Sequence, residues 1–163
     1  MANRARNARV ARLLLDAAEE LGRHDWCPTR EDLDYPFTGR VSVFGALEMA
    51  AFGEVAVRFD RQTPSAEWDL LVLALAALAD VVEPTLPYDP AISIRDNLIY
   101  WNDWIATDVG QVQAALRMAA YNCDPQAISS LDLLMREVDI FSDPHLNGLN
   151  DWAASDSEGS WDV

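Results

Sequence analysis

From Leu70 to Ala79 ten apolar residues follow one another without a polar side chain, and Asp80 closes the run. A membrane span needs about 20 such residues, so the run reads as a buried α-helix. Pro64, Ser65 and Glu67 announce its start, and it stops before Pro84. It carries Trp68, Leu71, Val72, Leu75, Leu78 and Val82 and is apolar almost all round, which predicts the central helix of the fold.

The rest of the chain is organised around similar signals. Between Arg4 and Leu21 the residues Val10, Leu13, Leu14, Ala17 and Leu21 recur at spacings of three and four, one stripe of a helix that Gly22 is expected to stop. Arg4, Arg6, Arg9 and Arg12 near its N-terminus oppose the helix dipole, at a cost of a few tenths of a kcal/mol each. Either acidic partners lie elsewhere or these arginines are simply solvated. The segment from Arg23 to Arg40 holds Pro28, Pro36 and Gly39 without helical period and reads as a long connection over the core through Trp26, Leu33, Tyr35 and Phe37.

Ser42 can cap a second helix that buries Val43, Phe44, Leu47, Ala50 and Ala51 and ends at Gly53. Val55, Val57 and Phe59 alternate like a short strand but have no evident partner, and are taken as coil. After Pro84, Pro87 and Pro90, the stretch Ser93 to Trp101 predicts a short helix with Ile92, Ile94, Leu98 and Ile99 inward. Thr107 or Asp108 caps the next helix, whose stripe is Val109, Val112, Leu116 and Ala119 or Ala120. Asp124 followed by Pro125 opens a last helix through Ile128, Leu131, Leu134, Met135, Val138 and Phe141. The expectation is an all-α, mainly helical protein: a compact bundle of about six helices with long connections over residues 1–142, and an acidic, tryptophan-bearing tail over 143–163.

Charge decides which functions such a bundle can serve. The formal net charge is −15, and all twelve basic residues are arginine. Lysine chemistry, from Schiff bases to a phosphate-loop lysine, is excluded. Like charge at this density disfavours direct nucleic-acid binding and anionic membranes and favours a basic protein partner. Leu13, Leu14 and Leu15 run straight into Asp16, so no signal peptide is read, and a cytoplasmic location is expected. Cys27 and Cys123 are too few for a disulfide framework and read as small buried hydrophobes.

His24, Cys27, Cys123 and His145 are ligand types that zinc accepts, but the second pair is far apart in sequence, so no metal and no cofactor are expected. Cys27 with His24 as base lacks an identifiable orienting residue. Glycine-rich phosphate loops, GxSxG, HExxH and EF-hand patterns are absent from the sequence. The most distinctive run is Tyr100, Trp101, Asn102, Asp103 and Trp104. It is either a helix end whose Trp packs inward while Asn102 and Asp103 bond nearby backbone, or an exposed patch in which Trp101, Asn102, Asp103 and Trp104 bind a partner. A second candidate contact set lies in the tail, where Asp151, Trp152, Asp156, Glu158, Trp161 and Asp162 mix acids with indoles.

Three blocks in order carry a resemblance. They are the amphipathic opening from Arg12 to Gly22 leading to Trp26, the run Gly39-Arg40-Val41-Ser42-Val43-Phe44-Gly45-Ala46-Leu47, and Ile99 to Asp103 before Ala114-Ala115-Leu116-Arg117-Met118-Ala119-Ala120. In these the chain resembles a small uncharacterised family, a domain of unknown function with a Trp-Asn-Asp motif, from actinobacteria, other bacteria and their phages. The resemblance spans roughly residues 10 to 122 and implies a helical fold and a phage origin; it carries no activity. Ser42 stands where that family commonly has Cys, Trp104 replaces a small or turn-forming residue, and everything from Asp124 onward is an addition. If the family's Cys is catalytic, this chain lacks it.

The expected function is a non-enzymatic acidic interaction module, a phage-encoded modulator or inhibitor of a basic host or defence protein, with nucleic-acid mimicry as a narrower form. Two alternatives belong to other classes: a structural component of a homo-oligomer or phage particle, and an enzyme with an Asp/Glu site.

Overall fold

A computed structural model describes residues 2–28, 39–55, 65–86 and 93–127. Helix α1 (Ala2–Arg23) buries Val10, Leu13, Leu14, Ala17 and Leu21, the stripe its spacing predicts, with Ala11 and Ala18 beside them. It does not stop at Gly22. The His24 amide still donates to the Glu20 carbonyl at 3.0 Å, and Gly22 has a different task. A Cβ there would come within 3.1 Å of Gln113 Nε2, which donates to the Ala18 carbonyl at 2.9 Å. The glycine thus leaves room for the end of the Gln113 side chain.

That neighbour is the helix Val109–Cys123, and just past its end Gln126 accepts from the Arg4 guanidinium at 2.6 Å. Contacts between 18–22 and 113, and between 4 and 126, require the two helices to run antiparallel along their length.

After α1 the chain forms β1 (Asp25–Trp26), which pairs in parallel with β2 (Arg40–Val41). The Cys27 amide extends the pairing to the Val41 carbonyl at 2.9 Å. Two residues per strand do not change the mainly helical class. They do pin both ends of the long connection, placing the end of α1 beside the start of the next helix. Leu33, Tyr35 and Phe37 lie outside the described residues.

Helix α2 (Val43–Phe52) begins at Ser42, as predicted, and ends at Gly53, whose φ of 79° is left-handed and whose amide donates to the Met49 carbonyl at 2.8 Å. Its buried set is Val43, Gly45, Ala46, Leu47 and, against expectation, Glu48; Phe44, Ala50 and Ala51 are only half-buried. Helix α3 (Ala66–Val82) is capped by Ser65, whose hydroxyl accepts from the Trp68 amide at 3.1 Å, and gives way at Pro84 to a 3₁₀ turn (Glu83–Thr85).

Helix α3 packs on every other described helix, α1, α2, Ile94–Tyr100 and Val109–Cys123, as its apolar run predicts. It buries Leu71, Ala74, Leu78 and Val82 on one face, while Val72 is 49% exposed on another. Helix α1 packs on α2, α3 and Val109–Cys123. Uniform apolarity could not reveal which face of α3 was covered.

Helix α4 (Ile94–Tyr100) is capped by Ser93 and buries Leu98; Ile99 is half-buried, Ile94, expected inward, is exposed on the first turn, and Ile92 lies outside the described residues. A π-helical turn (Trp101–Ile105) continues it. Helix α5 (Val109–Cys123) has Asp108 as its cap, accepting from the Gln111 amide at 2.9 Å, and the Gln111 side chain accepts in return from the Thr107 amide at 2.8 Å. Val112, Leu116, Ala119 and Ala120 form its buried stripe, with Val109 half-buried at its start. Asp124 accepts from the Gln126 and Ala127 amides, a tight local turn. The described residues therefore hold five α-helices against about six expected. The sixth, from Ile128 to Phe141, lies outside them, as do Val57 and Phe59.

One core joins these elements. Leu14, Leu21, Leu47, Leu71, Leu78, Leu98 and Leu116 are each fully buried, contributing about 2 kcal/mol apiece. No described helix is long and apolar enough to cross a membrane.

Candidate functional site

The π-turn decides how the Trp-Asn-Asp-Trp run is presented. The Ala106 amide donates to the Trp101 carbonyl at 2.8 Å, five residues back rather than four, and the Trp101 amide is shared between the Asn97 and Leu98 carbonyls. The extra residue in the turn rotates the next residues out of the α-helical register. Such turns are rare and concentrate at functional positions. Trp101 is 2% exposed and Asn102 1%, Asp103 is half-buried, and Trp104 is 77% exposed.

Asn102 uses its full hydrogen-bonding capacity. Its Oδ1 accepts from the Trp26 indole at 3.2 Å and from the Val43 amide at 3.3 Å; its Nδ2 donates to the Cys27 carbonyl at 3.4 Å and to Asp103 Oδ1 at 3.0 Å. Two donors face the oxygen and two acceptors face the nitrogen, so the amide orientation is set by its neighbours. One side chain thereby ties together the β1 segment, the first turn of α2 and the π-turn.

The start of α2 is satisfied by the same cluster. Val43 donates to Asn102, Phe44 and Gly45 donate to the Ser42 hydroxyl at 3.1 and 3.4 Å, and Ala46 donates to the Ser42 carbonyl at 3.0 Å. All of the first-turn amides are thus paired. Ser42 is buried and its oxygen is engaged as a cap.

Outside this buried hub lies a small exposed surface. Tyr100 is 43% exposed and stands one turn before Trp104, with the Asp103 carboxylate between them in sequence. Asp103 Oδ1 accepts from the Asn102 side-chain amide at 3.0 Å. An exposed indole can attract a cationic side chain through its ring face, and a carboxylate can through an ion pair.

Of the residues singled out from sequence, Trp101 and Asn102 are therefore interior and present no face to a partner, which corrects the picture of two exposed indoles. Asp103 and Trp104 remain at the surface. Asp151, Trp152, Asp156, Glu158, Trp161 and Asp162 lie outside the described residues. Trp26, Cys27 and Val43, the partners of Asn102, were missed because nothing in their spacing links them to residue 102. Tyr100 was part of the same run but not assigned to the surface.

Among the described residues no group of three or more His, Cys, Asp or Glu side chains is placed to hold a metal ion, and His145 lies outside them. Cys27 is fully buried. Burial, reinforced by the charge of Asp80, pushes the Cys123 thiol above its ordinary range. His24 sits 3.5 Å from Glu20.

The fold and hub define a small, mainly helical protein whose Trp-Asn-Asp motif is an internal brace that ends in an exposed tryptophan. The chain belongs to the family of unknown function DUF6197, whose pattern matches residues 5–122 and so takes in every described element of the site. No curated protein and no solved structure matches the chain.

Proposed function

We propose that this protein is a non-enzymatic, cytoplasmic interaction module, phage-encoded, that binds and modulates a basic host or defence protein. The observation that supports this reading is the exposed Trp104 on a turn braced by four hydrogen bonds of Asn102. Binding energy at interfaces concentrates on rigid aromatic anchors, and bracing before binding lowers the entropy lost on association. Trp104 and Asp103 receive an arginine or lysine of the partner, and Tyr100 adds apolar area. The net charge of −15 speeds encounter with a basic surface. The tail residues Asp151, Trp152, Asp156, Glu158, Trp161 and Asp162 form a second anchor. Nucleic-acid mimicry is the form this takes if the partner's basic surface is a DNA- or RNA-binding groove.

The test is affinity purification of the tagged full-length protein and its Trp104→Ala and Asp103→Asn variants from the native host, with subsequent titration of the recovered partner. Loss of Trp104 should weaken binding by about 2 kcal/mol, roughly thirtyfold. Equal affinity of the wild-type protein and both variants would sink this surface as the anchor.

A further inference from the structure

The first two turns of α1 project past the described core. Residues 3–7 are all exposed, including Asn3 and Asn7, which stand seven residues before the buried Val10 and Leu14 and hence on the same side of the helix. Arg4, Arg6 and Arg9 stand on these turns with Arg12 just beyond, and the first acid in the chain is Asp16, which pairs with Arg12 at 2.8 Å. Among the described residues Arg6 and Arg9 meet no carboxylate, and Arg4 meets only the neutral Gln126. The positive end of the helix dipole adds to this local charge. A protein of net charge −15 thus keeps a concentrated positive surface at the start of its first helix.

The chain that could cover it starts beside it. The hydrogen bond from Arg4 to Gln126 places the exit of α5 against the first turn of α1. Residues 128–163 carry eight carboxylates against the single Arg136, and 143–163 carry five with no arginine at all. We infer that the arginine face formed by Arg6 and Arg9, three residues apart on α1, is the docking surface for this chain's own acidic residues 143–163.

Reach and mass action both favour the same molecule over a second copy. Arg4 to Arg9 span about 8 Å of α1 at 1.5 Å per residue, and the connecting residues 127–142 can span about 24 Å even when helical. A tether of this length holds the acidic segment at an effective concentration in the millimolar range. Exposed ion pairs are individually weak and screened by salt, so the contact is reversible and salt-labile. Where the tail also binds a basic partner, which rests on the interaction reading above, that partner has to displace the arginines of α1.

Nuclear magnetic resonance of the full-length protein tests this without any partner. Three proteins are compared: wild type, one with D151N, D156N, E158Q and D162N, and one with R6Q and R9Q. At about 50 mM salt the Arg6 and Arg9 backbone and Nε–Hε signals should differ between wild type and the tail variant, and the difference should collapse near 1 M, where the screening length is about 3 Å. The Trp152 and Trp161 indole signals should move in the arginine variant, and all shifts should persist on tenfold dilution. Coincident Arg6 and Arg9 signals in wild type and tail variant at low salt would overturn the inference. So would shifts that vanish on dilution alongside a dimer in light scattering, which would give the arginine face to a second copy.

Discussion

The Asn102 side-chain oxygen accepts the indole N–H of Trp26 at 3.2 Å across 76 positions of sequence. With the bonds to Val43, Cys27 and Asp103 it makes Asn102 a side chain that joins the β1 segment, the start of α2 and the π-turn. Replacing it by leucine would leave the Trp26 and Val43 N–H groups and the Cys27 carbonyl without this partner. Each buried group left unpaired costs about 1–3 kcal/mol. Asn102→Leu should therefore lower unfolding free energy by about 3 kcal/mol in urea titrations, and an unchanged midpoint would show that the amide is not a brace.

Trp101 and Trp104 differ by three positions and should behave as opposites. Trp101→Ala empties a buried site and should cost about 3–5 kcal/mol. Trp104→Ala removes an exposed ring and should stay within about 0.5 kcal/mol of wild type while partner binding falls. Thermal unfolding of the two variants side by side checks this; similar destabilisation would mean the exposed indole is packed.

Ser42→Ala leaves the Phe44 and Gly45 amides of α2 without their acceptor. A lost N-cap costs about 1 kcal/mol, and burial of this one places it toward 2. Far-ultraviolet circular dichroism with chemical unfolding should show lower stability with helix content retained.

Two glycines should respond with different physics. Gly53 has φ +79° and open space around its Cβ position, so Gly53→Ala should cost about 1 kcal/mol through backbone strain alone. Gly22 is helical, and an added Cβ meets only the flexible end of Gln113. There the helix-propensity gain of about 1 kcal/mol is opposed by disturbing the Gln113 bond to Ala18, so Gly22→Ala should be near neutral. Gly22→Ala made in a Gln113→Ala background should recover the gain.

The Cys123 thiol is raised above its ordinary value of 9.0, first by burial and then by the charge of Asp80. A raised folded-state value means that the folded protein holds the thiol proton more tightly than the unfolded chain. The stabilising contribution is present below pH 9 and is lost as pH rises above it. Asp80→Asn should make Cys123 react faster with a thiolate-directed reagent at fixed pH, as the repulsion is removed. An unaltered rate would remove Asp80 as a cause.

Local signals were legible where one residue type answers one local need. Ser42, Ser65, Ser93 and Asp108 all cap helices whose starts they mark in the sequence, because an unpaired first-turn amide selects a short oxygen-bearing side chain next to it. The buried stripe of α1 was legible because its spacing repeats at the helical period. Gly22 stands one residue before the end of α1, close to where it was expected to stop the helix, but its packing against the Gln113 side chain is not visible in one dimension. The run Leu70 to Ala79 marked the helix that touches all the other described helices, but a uniformly apolar helix does not say which of its faces is covered.

Helical class, the caps, the two ends of α2 and the excess of negative charge could all be read from the chain alone, since each depends on neighbours within about one turn or on simple counting. That Asn102 is interior and Trp104 outside could not. Their separation depends on the wider π-turn and on meeting Trp26, Cys27 and Val43, which come from distant parts of the chain and converge only when the β1 segment, the first turn of α2 and the π-turn meet.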